Sequence, residues 1–122
     1  MKKTRVKWFD QPAKHDYSAA ETYLSLTMKP RAAKAIASEL KDASMMEFAA
    51  KDIFRASELP LLTASNSHVR TVTADIVRGV KMSPLLLYRG SRNGKLIIAD
   101  GYHRLCGVYT FDEDIVVPCK IV

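Results

Sequence analysis

The sequence holds little of what would mark a secreted, membrane or metal-binding protein. No apolar run approaches the roughly 18 residues that a membrane span needs, so no membrane partner is expected. The two cysteines, Cys106 and Cys119, are too few for a disulfide framework. The basic opening MKKTRVKWFD has no apolar stretch after it, which argues against a signal peptide. A cytoplasmic location is the expectation. His103 and Cys106 stand three apart, but no other Cys or His has a companion spacing, so no metal ligand is assigned. There is no Walker-type loop, no internal repeat and no low-complexity segment. Aromatic residues are only 8% of the chain and are scarce in its basic segments, which disfavours stacking on single-stranded nucleic acid.

What is present describes an ordinary globular chain. Its 122 residues suggest one domain spanning 1–122, and 48% hydrophobic with 26% charged residues suits a packed core. The net charge of +6 fits a partner that carries phosphate, although Lys2, Lys3, Arg5 and Lys7 supply four of the positive charges from one end.

Ser18-Ala19-Ala20-Glu21 has the form of a capping box and predicts a first helix over about Ala19–Met28. Pro30 suits the first turn of a second helix, whose stripe is Ala33, Ile36, Ala37 and Leu40. A short strand is expected near Glu47–Lys51, then a short helix capped by Asp52. Pro60-Leu61-Leu62 reads as extended, and Ser67 as the cap of a longer helix with Val69, Val72, Ile76 and Val80 on one face. Pro84–Tyr88 and Lys95–Ala99 read as strands joined through Asn93-Gly94. A helix over Tyr102–Phe111, an acidic turn and a last strand over Ile115–Val122 follow, with Pro118 pointing to a sheet edge or a bulge. The fold class is α+β: a small mixed sheet flanked by helices, with residues 1–45 a helical hairpin added to a core of 46–122.

One corner carries chemistry. In LIIADGYHRLCGVY, residues 96–109, an apolar strand stops at Asp100-Gly101 and a helix begins. The first N–H groups of that helix lack internal partners and favour an anion. Gly101 permits a tight turn, Arg104 can fork two hydrogen bonds onto a phosphate, and His103 can add another. Asp100 can accept a proton, bind Mg²⁺ through water, or cap the helix.

Gly101-Tyr102-His103-Arg104, with the pattern of elements from about Phe48 to Val122, resembles the ParB/sulfiredoxin-like superfamily. KDIFRASELPLL together with LIIADGYHRLC also resembles a group of bacterial proteins of unassigned function. The superfamily resemblance implies phosphate contacts from Gly101, Tyr102, His103 and Arg104. It also implies a nucleotide ligand, ATP or CTP with Mg²⁺. The sulfiredoxin motif has a reacting cysteine where this chain has Tyr102, and a phenol cannot do thiol chemistry. The ParB motif has glutamate and arginine where this chain has Tyr102 and His103. The free-serine kinases of the superfamily carry Asp-Gly-x-His-Arg, which implies a role for Asp100 near a metal or an acceptor hydroxyl. By the sulfiredoxin pattern, His68 and Thr71 on the preceding helix are added phosphate contacts and Arg70 a substitute cation.

The function expected is therefore nucleotide or phosphate binding, extending to phosphoryl transfer or nucleotide hydrolysis. The alternatives are a nucleic-acid-binding module, using Arg89–Lys95 and the basic tail, or a non-catalytic protein-interaction domain.

Overall fold

Leu85, Leu86 and Leu87 are each fully buried, so the strand they form is covered on both faces. That places the sheet as a middle layer. The computed structural model describes residues 5–90 and 93–122. Along the chain come α1 (Lys14–Leu24), α2 (Pro30–Asp42), β1 (Met46–Ala49) and α3 (Ala50–Ser57). Then follow α4 (Ser67–Val77), β2 (Leu85–Tyr88), β3 (Ile97–Asp100), α5 (Tyr102–Phe111) and β4 (Val116–Ile121). The four-stranded sheet has the order β1-β4-β2-β3. β4 is antiparallel to β1 and parallel to β2, and β2 is antiparallel to β3. This is an α+β protein with an open mixed sheet.

Successive strand residues point to opposite faces, and the two cores divide accordingly. Leu85, Leu87, Ile98, Val117 and Cys119 pack with Ile53, Ile76, Leu105 and Val108 of α3, α4 and α5. Leu86 and Ala99 face the other way, against Tyr17, Ala20, Leu24, Ala33, Ile36 and Leu40 of α1 and α2. The N-terminal helix pair is thus a full layer over one sheet face.

Several boundaries differ from expectation. α1 begins five residues before the predicted start, and Ser18 lies inside it, its Oγ donating to the His15 carbonyl at 3.0 Å. The chain turns after Leu24, so the helix does not reach Met28. Asp52 lies in the first turn of α3 rather than at its cap, because Ala49 of β1 passes directly into the helix. Asn66, not Ser67, caps α4: its side chain accepts from the N–H groups of His68 (2.9 Å) and Val69 (3.2 Å).

Pro118 lies in an interior strand, neither at an edge nor at a bulge; the irregularity is in β2, between Leu86 and Leu87. A proline is tolerated there for a definite reason. The Val122 N–H donates to the Leu87 carbonyl and the Val122 carbonyl accepts from Arg89 N–H, so alternate residues of β4, Pro118 included, turn their backbone groups toward β2. The ladder to β2 begins only at Cys119, so the missing N–H falls just short of it.

Candidate functional site

Asp100 ends β3, Gly101 makes the corner, and α5 starts at Tyr102, as the sequence predicts. Gly101 is the N-cap of α5 at φ 107°, ψ 15°, a left-handed conformation that L side chains resist. A Cβ there would also lie 2.7 Å from Leu85 Cγ and 3.0 Å from Arg104 Nη2. No side chain caps α5 at Gly101, so the end of the helix keeps its partial positive charge.

α4 packs along α5. The contact is close at Gly107, where a Cβ would meet Val72 Cγ1 at 2.4 Å. This brings the first turns of the two helices together. His68 and His103 lie ring to ring, with centroids 4.8 Å apart and planes inclined at 43°. Burial, and secondarily the neighbouring His68, hold the His103 imidazole below its ordinary range. The shift favours the neutral imidazole in the free protein. Tyr102 lies beside His103, with ring centroids 5.6 Å apart, and its hydroxyl donates to the Pro60 carbonyl, pinning the segment ahead of α4 over the corner. Burial also raises the Tyr102 hydroxyl, so it stays a neutral donor.

The remaining predicted contacts are engaged elsewhere. Thr71 Oγ1 donates back to the Ser67 carbonyl at 3.1 Å. Arg70 Nη1 donates to the Ala64 carbonyl at 3.0 Å and braces the same segment that Tyr102 holds. Arg104 turns inward: its Nη2 is 2.9 Å from Asp100 Oδ2, 3.4 Å from Asp16 Oδ2 and 3.5 Å from the Pro84 carbonyl oxygen. Asp100 therefore does not cap the helix; it accepts from Arg104. Burial pushes the Asp100 carboxyl up, Arg104 pulls against this, and Asp16 adds to the push.

Asp16 is the residue that sequence reasoning missed. It is 3% exposed on α1, in a segment outside the recognised motif. Its carboxylate accepts from Ser83 Oγ, which itself accepts from the Ala13 N–H at 2.9 Å. The available signal was an acid adjacent to the apolar positions Tyr17, Ala20 and Leu24. Lys120 is a second missed residue, 4% exposed, its Nζ donating to the Lys41 carbonyl at 2.8 Å near the end of α2.

Cys106 is fully buried, and burial raises its thiol, which leaves it a core residue. Among the described residues no group of three or more His, Cys, Asp or Glu is placed to hold a metal, and no helix is long and apolar enough to cross a membrane. Of the proposed nucleic-acid surface, Lys2, Lys3 and Arg92 lie outside the described residues. Two hollows, of about 380 Å³ between α3 and the sheet and about 930 Å³ along β3, do not include the corner residues. Comparison of the chain with protein-family models, with curated proteins and with solved structures gives no match.

Proposed function

We propose that this chain is a ParB/sulfiredoxin-like domain that binds phosphate groups, those of a nucleotide, at the N-terminus of α5. The observation that carries this reading is the pairing of His68 and His103, 4.8 Å apart, beside an N-terminus with no side-chain cap. Two imidazoles from two helices converge where the backbone already favours an anion. Among the described residues neither ring is paired with an acid. A phosphate there would accept from the first N–H groups of α5 and from both rings. ATP or CTP with Mg²⁺ is the ligand class this reading implies. Asp100 is the carboxylate nearest the corner in sequence, and it is the residue to which phosphoryl transfer or hydrolysis would be assigned. Its pairing with Arg104 favours binding over turnover as the primary role.

The binding has a predicted pH dependence. Burial and His68 lower the proton affinity of His103 in the free protein. A bound phosphate stabilises the imidazolium, so binding takes up a proton and tightens as pH falls. Calorimetric titration of pyrophosphate, ATP and CTP, with and without Mg²⁺, at pH 6 and pH 8 tests this. Wild type should bind several-fold more tightly at pH 6. His68→Ala/His103→Ala should lose about a hundredfold or more, since each of the two charge-assisted hydrogen bonds contributes about 1.5–3 kcal/mol. Absence of binding by all three ligands at both pH values would sink the reading.

A further inference from the structure

The inward turn of Arg104 leads to a device that lies outside the corner motif. Arg104 makes its three contacts through one nitrogen, Nη2, with two of them to the carboxylates of Asp100 and Asp16. Asp100 is its neighbour one helical turn away. Asp16 comes from α1, 88 residues distant in sequence. It is held in place from two directions, by Ser83 Oγ on one oxygen and by His15 Nε2 at 3.3 Å on the other. The Ala13 N–H fixes Ser83 in turn. Asp16 is thus built in to face Arg104.

The guanidinium is not well satisfied in this pose. Its Nε is buried and has no partner among the described residues. An arginine serving only to dock α1 has no reason to bury a donor unpaired, whereas a bidentate oxyanion would use two donors of the fork. Two carboxyl groups thus share one guanidinium nitrogen.

We propose that Asp16 is an internal competitor for Arg104: its carboxylate holds the guanidinium away from the anion site at α5, and a bound phosphate must win the arginine from it. Because this presupposes phosphate at that helix end, it depends on the function proposed above. The consequence is that the N-terminal helix pair sets the affinity of a site to which it contributes no ligand. Asp16 is a positioning residue acting through Arg104.

A double-mutant cycle with pyrophosphate as the probe tests it. Asp16→Asn should tighten binding at least threefold. Arg104→Ala should leave weaker binding, and adding Asp16→Asn to Arg104→Ala should produce no further change. Ser83→Ala, which keeps both charges and releases one tether of Asp16, should shift affinity in the same direction by less; it provides the test if Asp16→Asn folds poorly. Arg104 should also react faster with phenylglyoxal in Asp16→Asn than in wild type, read by mass spectrometry. Unchanged or weakened binding in Asp16→Asn, with wild-type binding intact, overturns the competitor alone. So does tightening that persists in the Arg104→Ala background, since that reports charge removal only. Absence of pyrophosphate binding in all variants overturns the phosphate site and the competitor together.

Discussion

Two constraints meet at Gly101. Its φ of 107° excludes ordinary side chains, and the space a Cβ would need is occupied by Leu85 and Arg104. Gly94 supplies a control within the same chain: its φ is 77°, but nothing lies within 4 Å of a Cβ placed there. Gly94→Ala therefore meets the backbone cost alone, about 1–2 kcal/mol. Gly101→Ala adds displacement of a fully buried leucine, a further 1–3 kcal/mol or so by the usual cost of overpacking. Urea denaturation should place Gly101→Ala below Gly94→Ala by at least about 1 kcal/mol; equal losses would contradict the packing argument. The corner was legible in the sequence because a glycine between a strand and a helix has few other uses. Asp16 was not, because its role depends on Ser83 and Arg104, 67 and 88 residues away, and no local pattern encodes those pairings.

At the scale of elements, the contact between α4 and α5 decides whether the two histidines meet. Gly107 is the point of closest approach, against Val72. Two effects oppose each other in Gly107→Ala. Helix propensity gains about 1 kcal/mol on replacing an interior glycine. The new methyl would sit 2.4 Å from Val72 Cγ1 and 3.0 Å from its Cβ, so the helices must separate, at about 1–3 kcal/mol. The clash should win, leaving a net loss of stability in urea denaturation and a wider separation of His68 from His103. Val72→Ala in the same chain removes Cγ1, so the pair should couple by more than about 0.5 kcal/mol in a double-mutant cycle. Simple additivity would show that the close approach does not constrain the helices. Most element types were readable from periodicity and from Pro and Gly placement: α5 runs over the predicted residues, and Pro30 does open α2. α1 was misplaced because Ser18-x-x-Glu21 mimics a cap inside a helix that starts without a side-chain cap. Pro118 misled because whether a proline is tolerated depends on where the neighbouring ladder starts, which only the assembled sheet determines.

At the scale of the whole molecule, the question is whether residues 46–122 can stand alone, as a division at residue 45 implies. They hold all four strands and every buried residue of one core, which Val6 and Trp8 complete from outside. The opposite sheet face would lose everything that α1 and α2 supply. Leu86 and Ala99 would become solvent-exposed, beside the already half-buried Tyr88, Ile97 and Val122. A contiguous apolar patch of this kind drives association in a free monomer. The polar side suffers as well. Lys120 would lose the Lys41 carbonyl, and Arg104 would lose Asp16. The two-residue bridge of Trp8 with Met82, flanked by backbone hydrogen bonds from Phe9 and to Lys7, would go too. The piece 46–122, produced alone, should therefore be aggregated or loosely packed, with poor amide dispersion in NMR and no cooperative melt. The full chain should melt in a single transition. A monomeric, cooperatively folding 46–122 would show instead that α1 and α2 are a detachable cover. It would make that piece the natural place to measure pyrophosphate affinity without Asp16, where the competitor argument requires tighter binding than in the full chain.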